Sequence, residues 1–255
     1  MKFKNIFSFL HFIFVLTLLL ACSSSSDPAP TTTTTSSTVP DVYKKIYAAT
    51  SVTSDGTYIT IKTNALPDHT SVYYATNNAL YASFSGTTYA GYTFAKNPNS
   101  ISSQTLTFKI PVNPKVASTH AATPMGPIGV SVNGVPFFNQ YAAGGSPVTN
   151  EIAGFDQWWG HPQNTGQYHY HVEPKYLTTV KLSKSGLLGF LLDGFPVYGP
   201  EESGKTLVTS DLDTYHGHTG VTTEYPNGIY HYHITADAPY LNGSGFYGTA
   251  GTVSQ

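Results

Sequence analysis

Tyr168-His169-Tyr170-His171 is a short stretch whose residue types and spacing suit a metal ion. In an extended strand alternate side chains face opposite ways, so His169 and His171 share one face and the tyrosines take the other. Imidazoles two strand residues apart, roughly 6 to 7 Å along the backbone, can close on one ion at metal–nitrogen distances of about 2.0 to 2.1 Å. A half-buried strand whose histidines only hydrogen-bond would carry the same letters. The stretch returns, however, as Tyr230-His231-Tyr232-His233, and each copy is preceded by Gly and one further residue.

More of the chain repeats around it. Asp156 with Gly160-His161 matches Asp213 with Gly217-His218 at an offset of 57, and the Tyr-His-Tyr-His strands match at an offset of 62. Each half therefore offers three candidate ligands: His161, His169 and His171 in the first, His218, His231 and His233 in the second, where His216 is an extra. Asp156 and Asp213 are candidate oxygen ligands, or carboxylates that orient an imidazole through its other nitrogen, as is usual around bound metals. The simpler reading is that each satisfies backbone donors in its loop. Cys22 is the only cysteine, so the site has nitrogen and oxygen donors alone. That suits a divalent transition metal, with Cu²⁺ and then Zn²⁺ favoured by affinity, and argues against cuprous thiolate storage or a cysteine-held iron–sulfur cluster. Three histidines leave a coordination position open, the arrangement by which zinc lowers the pKa of bound water to about 7. The two sets can form one shared site, two equivalent sites, or one site and a relic. The metal-free alternative is a surface module for a glycan or protein ligand, with a His–Tyr layer packed between the halves.

The elements that position these residues are strands and hairpins. Gly129 to Pro136, with Asn133-Gly134 at its turn, lines up with Gly189 to Pro196, with Asp193-Gly194, at an offset of 60. Such dipeptides supply the positive φ angles of two-residue hairpins, and the turn explains Asp193 better than catalysis does. The repeats run over residues 129–171 and 189–233, hairpin, Gly-His loop and Tyr-His strand in turn. Ile59 and Ile61, then Leu106, Phe108 and Ile110, alternate with polar residues and predict strands with one face inward. Beyond residue 22 no helical period stands out. With 19 Tyr and a 14% aromatic share, usage fits pleated, half-exposed sheets, and the fold class is all-β: a sandwich or barrel-like domain with an internally duplicated hairpin and Tyr-His strand unit. Trp158 and Trp159 are candidates for stacking on a ligand or anchoring their loop. His69 and His120 lie outside the repeat and are expected at the surface or in loops, and Glu224 is expected as a solvated loop carboxylate. A nucleophile elbow and a phosphate-cradling glycine loop are both missing.

Only 10% of residues are charged, for a net charge of -2, which excludes an electrostatic nucleic-acid footprint. Lys2 and Lys4 precede an apolar run from Ile6 to Leu20, the pattern of a targeting segment. Leu19-Leu20-Ala21-Cys22 resembles a bacterial lipobox. Residues 1–21 are thus expected to be a signal peptide, Cys22 a lipidated N-terminus, residues 22–40 a Ser/Thr/Pro tether, and residues 41–255 the folded domain. The expected location is the bacterial cell envelope, on the periplasmic or cell-surface side, with the membrane reached through the lipid.

Over roughly residues 105 to 247 the chain resembles the YHYH-domain proteins. The resemblance rests on Pro124 to Val130 leading to Val132-Asn133-Gly134, both Gly-His loops, Leu192 to Pro200, and both Tyr-His-Tyr-His strands. It implies the domain and a secreted or surface location, and no particular reaction. One departure stands out: the family's Gly-His loops often carry a Cys, and here they read Asp156-Gln157-Trp158-Trp159-Gly160-His161 and Asp213-Thr214-Tyr215-His216-Gly217-His218.

Overall fold

The two sequence runs that alternate apolar with polar residues form the centre of a four-stranded sheet. In the computed structural model, which describes residues 37–255, β1 (Ser51–Ser54), β2 (Tyr58–Thr63), β3 (Leu106–Pro111) and the last strand, β14 (Thr252–Ser254), pair antiparallel in the order β1-β2-β3-β14. Ile59, Ile61, Leu106, Phe108 and Ile110 are fully buried on one face. Asp55-Gly56 turns β1 into β2: Gly56 takes φ +88°, and the Asp55 carboxylate accepts hydrogen bonds from the backbone N–H groups of Thr57 and Tyr58. The signal segment, Cys22 and most of the tether lie outside the described residues. Its last residues do not hang free, since Ser37 bridges Ser54 through backbone and side chain.

The repeat builds the second sheet. Its strands are β4 (Gly129–Ser131), β5 (Pro136–Phe137), β6 (Gly160–Pro162) and β7 (Tyr168–Tyr170) from the first half. The second half supplies β8 (Leu187–Leu191), β9 (Pro196–Tyr198), β12 (Gly217–Gly220) and β13 (Ile229–His233). A separate ribbon, β10 (Glu201–Glu202) with β11 (Lys205–Thr206), follows β9. The order across the sheet is β12-β13-β9-β8-β4-β5-β7-β6, so each half contributes the same four strands in mirrored sequence about the β4–β8 seam.

That seam is antiparallel, with Gly129 opposite Leu191, Val130 opposite Phe190 and Ser131 opposite Gly189. Under the offset of 60, Val130 corresponds to Phe190, so each of these two residues faces its own counterpart. A pseudo-two-fold axis passes between them. The remaining registers agree: β5 meets β7 in parallel with Phe137 beside Tyr170, and β9 meets β13 in parallel with Val197 beside Tyr232. Asn133-Gly134 and Asp193-Gly194 make the two hairpin turns, with φ +77° and +85° at the glycines.

Tyr168, Tyr170, Tyr230 and Tyr232 belong to one buried cluster with Val130, Phe190, Ile59, Ile61 and Phe108. The tyrosine face of the large sheet therefore packs on the apolar face of the small one, each buried large side chain contributing about 1.5 to 3 kcal/mol. The result is an all-β, sandwich-like fold. The large sheet is open, with β12 and β6 at its edges, so the barrel alternative is set aside. Helical structure among the described residues is limited to short 3-10 turns and one π turn at Leu177–Lys181, and none is long and apolar enough to cross a membrane.

Candidate metal centres

Strand alternation sends the tyrosines inward, and the histidines necessarily take the other face. Antiparallel pairing of β6 with β7 then sets His161 directly opposite His169, and pairing of β12 with β13 sets His218 opposite His231. Directly opposed residues have Cβ atoms about 4.5 to 5.5 Å apart, close enough for imidazoles to converge. In the first half His169 Nε2 lies 2.9 Å from His171 Nε2. In the second, His218 Nε2 lies 3.1 Å from His231 Nε2.

Each trio is joined by a glutamate. Glu151 Oε2 stands 3.5 Å from His161 Nε2 and 3.7 Å from His171 Nε2. Glu202 reaches all three of its histidines, at 3.1 Å from His218, 3.3 Å from His231 and 3.9 Å from His233. In each set of four, one donor atom per residue lies within 4.8 Å of all the others. Neither glutamate was singled out from the sequence. Glu151 precedes His161 by ten residues and Glu202 precedes His218 by sixteen, so the repeat does not align them. The usable signal was scarcity: Glu151 and Asp156 are the only acidic residues between Phe137 and Gly160.

The hydrogen bonds behind the rings settle the tautomers, because a carbonyl oxygen can only accept. His169 donates through Nδ1 to Gln167 O and His231 to Ile229 O. His171 donates through Nδ1 to Asn139 O and His233 to Gly199 O. With Nδ1 carrying the proton, each neutral ring presents a bare lone pair at Nε2. Thus His169 and His171 face each other as two acceptors at 2.9 Å, and His231 faces the Glu202 carboxylate as an acceptor at 3.3 Å. His161 Nε2 and His233 Nε2 are buried without any hydrogen-bond partner.

A proton is poorly placed to relieve this. Burial holds the pKa values of His161, His169 and His231 below the ordinary histidine value, and it lowers His171 and His233 to about 4. Neighbouring imidazoles press His161 and His169 down further. A divalent cation fits the geometry. At about 2.05 Å from each donor, tetrahedral ligands stand about 3.3 Å apart, inside the 2.9 to 3.9 Å range of the quoted separations.

Of the two readings of the aspartates, the loop role is the one the structure places: each satisfies backbone donors of its turn, and each also takes a bond from a tyrosine. Asp156 accepts from Tyr168 Oη, from Ser71 Oγ and from the Trp158 backbone, and Asp213 accepts from Tyr230 Oη and the Tyr215 backbone. Neither bonds to an imidazole of the two sets. Each closes a tight turn whose fourth residue is left-handed, Trp159 at φ +67° and His216 at φ +71°, and then anchors the first tyrosine of the strand. The following glycine is required by that tyrosine: a Cβ on Gly160 would lie 2.5 Å from the Tyr168 ring, and one on Gly217 would lie 2.5 Å from Tyr230 Oη. Asp, Gly-His and Tyr-His are therefore one mechanical unit that delivers the third histidine. Gly160→Ala should cost about 1 to 3 kcal/mol, as overpacking does. An unchanged urea midpoint would refute this account of the glycine.

His216 donates through Nδ1 to His233 O and keeps Nε2 against Thr209 and Thr235. It thus supports the backbone of a candidate ligand without joining the set. His69, expected at the surface or in a loop, lies in a loop but is only 2% exposed, wedged on the tyrosine side with Nε2 3.0 Å from Tyr170 Oη. His120 is a partly buried loop residue stacked on Tyr215. Glu224 is tied to Lys45 and to Tyr198 Oη rather than freely solvated. Trp158 and Trp159 anchor their loop, against Tyr176 and Tyr89. Asp193 is fully buried, closes its hairpin and also accepts from Tyr232 Oη and Gly248 N.

With the geometry of both halves in view, the family model described as YHYH protein matches residues 107–207 and 202–245. The chain belongs to the YHYH protein family. The match takes in both Gly-His turns, both glutamates and both Tyr-His-Tyr-His strands, so both sets of four lie wholly within the family's domain. No curated protein and no solved structure matches the chain.

The two sets do not meet. From β7 to β13 there are five inter-strand steps through β5, β4, β8 and β9, about 24 Å at about 4.8 Å per step. A shared site on the axis is excluded, as is a histidine layer between the halves.

Proposed function

We propose that this YHYH protein binds a divalent transition metal ion in each half, Zn²⁺ or Cu²⁺, as an extracytoplasmic protein held to the cell envelope by a lipid on Cys22. The observation that carries the metal reading is the opposition of nitrogen lone pairs: His169 Nε2 and His171 Nε2 at 2.9 Å, each with its proton committed to a carbonyl behind it. Two buried acceptors in contact are unfavourable unless a cation lies between them. The second half repeats the ring orientations, with His231 and His233 donating through Nδ1 to Ile229 O and Gly199 O, the latter corresponding to Asn139 O under the offset of 60; its close pair of Nε2 atoms is His218 and His231, at 3.1 Å. Conserving the orientation of the rings as well as their identity is what a ligand set needs.

Three imidazoles and a carboxylate are borderline donors that suit both metals. Bound there, such an ion would supply Lewis acidity, and a water or ligand oxygen would join it as a fifth donor. His161, His169, His171 and Glu151 would hold the first ion, and His218, His231, His233 and Glu202 the second. The rival reading is a metal-free binding module whose histidines are structural.

Elemental analysis separates the two. Residues 35–255, which form a compact unit by themselves, are purified without a histidine tag, incubated with Zn²⁺ or Cu²⁺ and desalted. Two metal ions per chain are expected. A chain that keeps no metal after either incubation overturns the proposal in favour of the metal-free module.

A further inference from the structure

The two centres have the same ligands and different surroundings. A cavity of about 870 Å³ opens in front of the first, and His161, His169, His171 and Glu151 all line it. That volume lies within the range of small-molecule sites, about 300 to 1,000 Å³. The carboxylates differ as well. Glu202 stands within 3.9 Å of all three of its imidazoles. Glu151 has ion-pair contacts with two, and its other oxygen accepts a hydrogen bond from Ala143 N at 3.2 Å. The first centre is thus the less enclosed by its own carboxylate, on the side where the cavity lies.

The walls of that cavity have a consistent chemistry. Asn97, Asn99, Gln163 and Asn164 line it with side-chain amides; Asn97 and Asn99 already donate to Pro162 O and Gln163 to Gln167 Oε1, so part of their donor capacity is spent. Met125, Phe138 and Tyr141 offer apolar faces; Phe138 is itself stacked on His169 at 4.0 Å, and Met125 is 54% exposed. Glu151 is the only Asp, Glu, Lys or Arg in the lining, and the whole chain has no arginine. With a dication held there the centre carries a net charge of about +1, which repels a cationic ligand, and beyond that ion an anionic ligand finds no basic side chain for its remaining charges. Amides beside apolar faces match a molecule that carries hydroxyls on one edge and C–H groups on the other.

We propose that the cavity in front of His161, His169, His171 and Glu151 binds a neutral polyhydroxylated ligand of the carbohydrate class, with a hydroxyl oxygen directed at the metal of the first centre. This rests on the metal reading above. The ligands of the second centre come from β12, β13 and β10 of the β10–β11 ribbon.

The test titrates zinc-loaded residues 35–255 with maltotriose, cellotriose and triacetylchitotriose, and with trigalacturonate and trilysine as charged probes of similar size. Binding is followed by saturation-transfer NMR and calorimetry, with metal content measured on every sample. At least one neutral trisaccharide should bind, with the charged probes about tenfold weaker or more. Met125→Ala and Asn164→Ala, both at exposed positions off the metal ligands, should each weaken it several-fold. The paired His231→Ala, His233→Ala variant should leave it unchanged.

A chain holding two metal ions that binds no neutral trisaccharide, or prefers a charged probe, overturns this inference and leaves the metal reading standing. Sugar binding that is equally tight with no metal bound overturns the hydroxyl–metal contact, and a chain that never takes up metal overturns the reading beneath it. Loss of sugar binding in the correctly folded second-centre variant would also overturn the assignment to the first cavity.

Discussion

Replacing His169 and His171 together with alanine is expected to halve the metal content of the chain, from two ions to one, and to remove about half of the stability that metal confers. A ligand that binds only the folded state stabilises it by RT ln(1 + [L]/Kd), about 4 kcal/mol per site when free metal is a thousand times its Kd. Both sets of donors are assembled by local hairpins, β6 with β7 and β12 with β13, so this figure is an upper value, reduced by any metal that the histidines of the unfolded chain hold. The alanine variant also leaves a cavity, and it loses hydrogen bonds to Gln167 O and Asn139 O; those costs appear with and without metal. The informative quantity is therefore the difference between metal-loaded and chelated stability, in which they cancel. Wild type should show about 8 kcal/mol and the variant about 4, by the same relation. The mirrored variant at His231 and His233 should match it, because about 24 Å separates the centres and distant sites add. A first-half variant that still retains two ions, or shows the full chelation shift, would sink the assignment of these ligands.

Much of this architecture was legible in the letters. The hairpins fall at Asn133-Gly134 and Asp193-Gly194 as the dipeptides say, but as three-residue loops, Val132 to Gly134 and Leu192 to Gly194, in which the glycine alone is left-handed. Alternation assigned the faces of Tyr168 to His171 correctly, since a strand allows no other arrangement. The six histidines, read as two trios, are brought together as two trios. What the letters left open was whether the trios meet, and that depends on the seam between Val130 and Phe190, a pairing between segments 60 residues apart that no local pattern encodes. The glutamates escaped notice because they sit on connections of different length, where insertions shift the numbering without moving the side chain in space. Asp156 and Asp213 drew attention as carboxylates near histidines. Their partner proved to be tyrosine, on the opposite face of the same strand. His69 is a loop residue, as its place outside the repeat suggests, but its burial is not legible locally, because it packs against Tyr170, a hundred and one residues away.

Acid should destabilise the metal-free domain through the window from pH 6.5 down to about 4, and metal should protect it there. His171 and His233, each 2% exposed, have folded-state pKa values of about 4, against about 6.5 in the unfolded chain. The folded pKa is depressed, so the unfolded state takes up protons first as pH falls. Their contribution is complete above pH 6.5 and is lost as pH falls towards 4, to the extent of about 3 kcal/mol each. Burial shifts His161, His169 and His231 the same way. Asp193 opposes them: its folded pKa is raised to about 6 by burial, so between pH 6 and 3.8 the folded state binds the extra proton and gains stability. Asp156 is shifted in the same sense as Asp193. Those five histidines, with His69 and His216 lowered by burial as well, outnumber the two aspartates. Urea midpoints of chelated protein should therefore fall steadily between pH 7 and 4.5, and a flat or rising profile would contradict the burial of neutral imidazoles. The same depression alters what acid does to bound metal. Protons compete with a metal for ordinary histidine near pH 6.5, but inside the folded domain that competition is deferred towards pH 4, so zinc-loaded protein should still hold its metal at pH 5.5. Release there, with the fold intact by circular dichroism, would mean that the imidazoles are more open to water than their positions behind Phe138 and Phe155 allow.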